Sequence, residues 1–277
     1  MSFRIAFQTL ACPDWSWTRI LDEANRLGYD GIELRGIQGE MYLPKAEPFQ
    51  PDRLDATIAD LARRNLHIVC LDTSCLFHVP ERYEGAIREG KDTIDLAVKL
   101  GTPYIRVFGD KIPPEIGQGQ TVASVAAGLT ELGRYAESRG VKVLLELHGD
   151  FVTYPLIEAV LAETHSSAVG LLWDIVNPME KGESPEVTFR ELAPYIHHVH
   201  IKDYRIEPDG GFKLCLIGDG LVPIPAIVRL LKENGFPGWL SLEYEKKWHP
   251  ELEEPEVSLP AFITYIKDIL RQEEGIR

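Results

Sequence analysis

Four short stretches end an apolar run on a residue able to bind a metal or move a proton. They are Glu146-Leu-His148, Trp173-Asp174, His198-Val-His200 and Leu242-Glu243-Tyr244. If the four runs lie side by side, Glu146, Asp174, His200 and Glu243 bring three carboxylates and an imidazole to one place. Two carboxylates about 4 Å apart repel by about 4 kcal/mol at an effective dielectric near 20, and three make three such pairs. Such a cluster must take up protons, spread apart or bind a cation. Its oxygen and nitrogen donors suit one divalent metal ion, manganese first, with cobalt, magnesium or zinc as the other candidates. A single strand-end carboxylate is more often a helix cap or a surface ion-pair partner. Four suitable donors on consecutive strands are much harder to explain in that way.

The elements that must position these residues follow an alternation. Short β-rich runs recur at 4–8, 31–35, 67–72, 104–108, 142–147, 169–174, 197–201 and 239–243. Each precedes a stretch of helical periodicity: 17–27, 54–64, 83–100, 122–139, 152–164, about 187–193, 223–234 and 258–272. Gly28, Gly101, Gly140 and Gly235 stand at helix ends. Eight strand–helix units, roughly 27 to 42 residues apart, predict a closed parallel (β/α)8 TIM barrel, one domain over 1–277. A doubly wound sheet would usually show a glycine-rich phosphate turn after its first strand, and none is present there. The irregular stretches at 36–50, 109–121, 177–185 and 244–256 all follow strands. They would crown the C-terminal face, where barrel enzymes keep their sites.

Composition narrows the partners. The 277 residues are 44% hydrophobic and 26% charged, an ordinary globular balance. A net charge of −14 opposes binding to a phosphate backbone or an anionic bilayer, so neither nucleic acid nor membrane is expected as a partner. No apolar run reaches the roughly 18 residues a membrane helix needs, and residues 1–9 do not read as a signal peptide. Cys12, Cys70, Cys75 and Cys215 show no Cys-x-x-Cys spacing, and three of them lie in or beside apolar runs. The expectation is a reduced, cytoplasmic protein.

The chain resembles the xylose-isomerase-like barrel superfamily of sugar (phosphate) isomerases and epimerases. The resemblance runs from the Gly31-Ile-Glu-Leu strand to Trp239-Leu-Ser-Leu-Glu-Tyr-Glu-Lys-Lys-Trp-His-Pro250. It is carried by Leu144-Leu-Glu-Leu-His-Gly149, Leu172-Trp-Asp174 and His198-Val-His-Ile-Lys-Asp203. It implies that Glu146, Asp174, His200 and Glu243 hold one divalent metal, and that Glu146 and Glu243 move protons on opposite faces of a sugar. A metal chelated by a ketone and a neighbouring hydroxyl would stabilise the enediolate left by proton loss. Reprotonation then gives an epimer or an isomer, and loss of a β-hydroxyl gives a dehydrated product.

The ketose-epimerase branch differs from this chain around that quartet. It has a histidine where Asn177 stands and a glutamate where Val152 stands, and its substrate arginine lies one position beyond Arg205. Asn177, Arg205, His148 and Lys202 are therefore the candidate substrate contacts. His148 could instead orient a ligand, and Lys202 could instead pair with Asp203 or Glu243. Glu33 and Arg35 could pair between strand ends or touch substrate. Arg106 reads as a paired charge inside the barrel. Lys246 and His249 could cap the site or form a solvated face, and Trp15 could wall a sugar ring. Trp17 reads as helix packing, and His78 stands alone.

The leading reading is a metal-dependent sugar isomerase or epimerase acting on a ketose, keto-polyol or related small sugar. The alternatives are an inosose- or dehydroshikimate-type dehydratase on the same scaffold, or a non-catalytic sugar-binding protein. An apurinic endonuclease would need more histidine and aspartate ligands and a basic surface. By analogy with barrel enzymes of this type, a homo-oligomer is possible. The lack of a glycine-rich cradle favours an unphosphorylated substrate.

Overall fold

A computed structural model describes residues 3–208 and 210–275. The expected span of 1–277, and the start of the segment read against a signal peptide, include residues 1, 2, 209, 276 and 277. These lie outside the described residues. The chain alternates β1 (Arg4–Gln8), α1 (Trp17–Leu27), β2 (Gly31–Leu34), α2 (Leu54–Arg64), β3 (His67–Leu76), α3 (Tyr83–Leu100), β4 (Tyr104–Phe108) and α4 (Gln118–Glu137). It continues with β5 (Lys142–Glu146), α5 (Tyr154–Glu163), β6 (Val169–Asp174), α6 (Asn177–Glu180), α7 (Pro185–Leu192) and β7 (Ile196–Ile201). A hairpin, β8 (Asp203–Ile206) and β9 (Phe212–Cys215), precedes α8 (Ile224–Glu233), β10 (Trp239–Leu242) and α9 (Pro255–Gly275).

Eight parallel strands close in the order β1-β10-β7-β6-β5-β4-β3-β2, the expected (β/α)8 barrel. Local chemistry explains the element ends. Ser16 accepts a hydrogen bond from the Arg19 amide at the start of α1, and Gly28 closes that helix at φ 76°. The last helix begins earlier than expected, because Pro255 starts a helix well at a position whose N–H needs no partner. Strand β3 runs four residues past the expected Asp72, through a register irregularity between Asp72 and Leu76. The β8–β9 hairpin was not anticipated. It pairs Asp203 with Cys215 and Ile206 with Phe212 outside the barrel sheet.

Strands buried on both faces read as nearly continuous apolar runs, and the exceptions mark the lumen. Its lower half is apolar: Ala6, Cys70 and Trp239 pack there with Tyr104. Its upper half is polar, since Gln8 on β1 bonds Asp72 on β3, and Glu33 on β2 bonds His198 and His200 on β7. These contacts skip neighbouring strands and cross the barrel. Between α-helices and strands lies the main apolar core, which takes in Trp15, Trp17 and Trp173. All four cysteines are free and buried. Among the described residues no helix is long and apolar enough to cross a membrane.

Strand β2 approaches its neighbours so closely that a Cβ on Gly31 would sit 2.9 Å from both the His67 carbonyl and the Trp239 ring. Gly31→Ala is expected to destabilise the protein by about 1–3 kcal/mol. A lowered urea midpoint would show this, and an unchanged midpoint would mean the lumen is looser than described.

Candidate active site

Glu146 and Asp174 are the last residues of β5 and β6, His200 lies within β7, and Glu243 directly follows β10. Parallel register sets Asp174 opposite His200 and His200 opposite Ser241, so the four side chains rise from adjacent strand ends. One donor atom from each lies within 4.8 Å of the others, and all four residues are buried. The His200 Nδ1 atom is 3.4 Å from Glu243 Oε1 and 3.9 Å from Glu146 Oε1.

The ring beneath this quartet fixes which atoms remain available. Glu33 accepts from Nε2 of His200 through one oxygen and from Nε2 of His198 through the other, each at 2.9 Å. That leaves Nδ1 of His200 facing the carboxylates. Burial alone would raise the Glu33 pKa, but the His200 and His198 charges hold it well below the usual carboxylate range. Burial opposes charge on His200, yet Glu33 and Glu243 raise its pKa well above the ordinary value. Asp174 Oδ1 accepts the amides of Val176 and Asn177 at 2.8 and 3.1 Å, which frees Oδ2. Burial raises the Asp174 pKa, with Glu243 and Glu146 adding to it and Lys202 opposing.

The donor set fits a divalent ion. Asp174 Oδ2, Glu146 Oε2 and His200 Nδ1 are buried without a hydrogen-bond partner. A carboxylate behind the histidine is the usual way of aiming an imidazole at a metal. Two cations meet the cluster from its sides. Arg106 Nε lies 3.0 Å from Glu146 Oε2, and its Nη2 is 3.4 Å from Asp72. The Lys202 ammonium is 2.6 Å from Asp174 Oδ2, 3.0 Å from Glu243 and 3.2 Å from Glu245. The Arg106–Glu146 and Lys202–Asp174 pairs are close charge contacts without hydrogen-bond angles, so those oxygens keep lone pairs to offer.

Arg106 is thus the paired barrel charge expected of it. Lys202 pairs with Glu243 as one reading allowed, but not with Asp203. The Asp203 carboxylate turns away and accepts the amides of Tyr204, Gly218, Gly220 and Val222 at 2.9 to 3.0 Å, clamping the hairpin and the loop after it. Glu33 and Arg35 both pair between strands, Glu33 with His198 and His200 and Arg35 with Ser74.

Above the quartet opens a cavity of about 450 Å³, lined by His148, Asn177, Lys202, Tyr204, Phe212 and Glu245 among others. The Asn177 side-chain amide donates one hydrogen to the Leu147 carbonyl at 2.8 Å, which leaves its oxygen and its second N–H for other partners. Arg205 departs from expectation. Arg205 is exposed and does not line the cavity, but its ion-pair partner Glu207 and its cross-strand neighbour Lys213 do. Trp15 is buried under Arg19 and is not among the residues lining that cavity. Trp17 packs edge-on against Phe49, as expected. Lys246 closes its own loop on the Pro250 and Leu252 carbonyls, while His249 lines the cavity. Gln8 and Asp72 were missed, although Asp72 showed the same strand-end signal as the quartet. Gln8 bonds Asp72 at 2.8 Å and reaches Glu243 at 3.4 Å.

Residues 21–263 match the family described as xylose isomerase-like TIM barrel. The chain belongs to that family. An inosose dehydratase of Clostridium beijerinckii is 32% identical over an alignment of length 140 that covers 44% of this chain and 46% of that protein. The chain thus spans under half the length of that relative. A D-tagatose 3-epimerase-like protein superposes with a TM-score of 0.79 at 20% identity, covering 99% of this chain and 100% of the other. The IOLI protein with a bound zinc atom superposes at 0.78 and 22% identity, covering 97% and 98%. At these identities the two superpositions bear on the fold. For a xylose isomerase-like barrel a divalent metal at the quartet is plausible on both the donor chemistry and the family.

Glu33→Gln keeps the shape but places an amide donor against an imidazole N–H. The expected result is a 10- to 100-fold loss of divalent-metal affinity, about the size seen for outer carboxylates of metal-bound histidines. Calorimetric titration with manganese measures it, and wild-type affinity in the variant would remove Glu33 from the account.

Proposed function

We propose that the protein is a divalent-metal-dependent isomerase or epimerase of a ketose, keto-polyol or related small sugar. The observation that carries this reading is the convergence of Glu146, Asp174, His200 and Glu243 beneath an open cavity. The metal would be held by those four residues, with manganese as the first choice for so oxygen-rich a set. Once bound it supplies a Lewis acid for a substrate ketone and its neighbouring hydroxyl.

The protein's own groups account for the proton movements. Glu146 and Glu243 stand three strand positions apart around the ring, so a sugar carbon between them meets a carboxylate on either side. One takes the proton from the carbon next to the ketone, forming a carboxyl O–H, while the C–H electrons become the enediolate double bond. The other returns a proton to the opposite face for an epimer, or to the adjoining carbon for an isomer. Burial would favour a neutral Glu243, but Lys202 and His200 hold its pKa well below the usual range, so it enters the reaction ionised.

A second reading, a dehydratase, is favoured by one specific contact. Lys202 offers an ammonium proton 3.0 Å from Glu243, where it could protonate a departing β-hydroxyl. The similarity to the inosose dehydratase supports the same reading.

Solvent deuterium separates these possibilities. With manganese present in D2O, a ketohexose, a ketopentose, their phosphates or an inosose should gain a carbon-bound deuterium. Glu146→Gln and Glu243→Gln should each slow that exchange about 10²- to 10⁴-fold. An ultraviolet enone in place of a re-protonated sugar would indicate the dehydratase. Neither signal from any of these substrates would overturn both readings.

A further inference from the structure

We propose that Asp110 is a positioning residue for His148, holding the imidazole as its Nδ1–H tautomer with Nε2 presented to the cavity. Asp110 follows β4 and has φ 62°, a left-handed backbone that non-glycine residues adopt at a cost. Aspartate is one of the few residues besides glycine that adopts this conformation, so its role is read from its contacts.

The Asp110 carboxylate stands between two imidazoles. Oδ1 lies 3.5 Å from Nδ1 of His148, and Oδ2 lies 3.9 Å from Nε2 of His78. The nearby His148 imidazole is the main influence holding the Asp110 pKa below its ordinary value. At 3.5 Å the contact falls short of a hydrogen bond, and Nδ1 of His148 is buried without another partner, so the Asp110 carboxylate is the acceptor it faces. The His148 ring lies 4.6 Å from that of Phe108, centre to centre, tilted by 47°, and lines the cavity. With Nδ1 facing Asp110, Nε2 is the nitrogen left for a ligand. The other charges that reach the ring are Glu146, Glu243 and Lys202.

The backbone around the pair is locked to hold it. The Asp150 amide donates to the Asp110 carbonyl at 2.6 Å, and the Asp150 carboxylate accepts the Ile112 amide at 2.9 Å. His148 and Phe151 exchange amide hydrogen bonds at 3.2 and 3.1 Å, closing a tight turn. Gly149 in that turn has φ 69°, and a Cβ there would strike the Asp110 carbonyl. The loops after β4 and β5 are therefore fitted to each other at the point where Asp110 meets His148. This inference rests on the proposed sugar chemistry only for the identity of the ligand.

Asp110→Gly tests it without adding strain, because glycine suits the positive φ. Long-range 15N–1H correlation at alkaline pH reads the tautomer of the neutral ring, with His148→Gln assigning the signal. The expected result is Nδ1–H in the wild type and a shift toward Nε2–H in Asp110→Gly, at an unchanged or raised melting temperature. Nε2–H in the wild type, or Nδ1–H persisting in the variant, would overturn the proposal. On any sugar that exchanges deuterium, Asp110→Gly should raise KM about tenfold with a smaller change in kcat. The tautomer result needs no substrate, so it stands or falls separately from the isomerase reading.

Discussion

The structure is organised around the cost of burying acids. Glu33, Asp72, Glu146, Asp174 and Glu243 all lie buried near the upper end of the lumen, against two permanent cations, Arg106 and Lys202. Five carboxylates facing two cations cannot all ionise in a poorly polarisable interior without further positive charge. The structure answers with protons: the pKa values of His200, Asp72 and Asp174 are all raised, the last two chiefly by burial. A divalent ion at the quartet would supply the missing charge instead, and protons would leave as it bound. Metal affinity and proton uptake are thus two responses to one electrostatic demand.

The fold meets this demand by position. Parallel strands end together at one face of a barrel, so a residue at the end of each of several strands converges without any long loop. The lower lumen is filled by apolar side chains and a tryptophan, which keeps water from approaching the acids from below. On the open side the β8–β9 hairpin supplies Tyr204, Phe212 and their neighbours to the cavity wall. Asp203 secures that hairpin through four amides, so the residue after Lys202 builds the wall while Lys202 itself compensates the site.

Much of this was legible in the sequence, because alternation and strand ends are local properties. The eight barrel strands and the convergence of Glu146, Asp174, His200 and Glu243 follow from runs such as Lys142–Glu146 and Val169–Asp174. What was not legible depended on contacts between distant segments. Arg205 reads as a substrate residue by its distance from His200, whereas the hairpin places it beside the cavity rim, paired with Glu207. The hairpin had a local turn signal in Pro208-Asp209-Gly210-Gly211, which went unread because no strong strand pattern flanked it. Glu33 was visible, but its two histidine partners sit 165 and 167 residues away. Trp15 could be core or cavity on sequence alone, and only packing separates the two.

If the quartet is a metal site, the protein's metal content will show it. Elemental analysis would compare the wild type with a Glu146→Gln, His200→Ala double variant, each incubated with excess manganese and then freed of unbound ion. The account predicts about one divalent ion per wild-type chain and a large loss in the double variant. A wild type that retains no metal under these conditions would contradict it, and the buried acids would then be balanced by protons and the two cations alone.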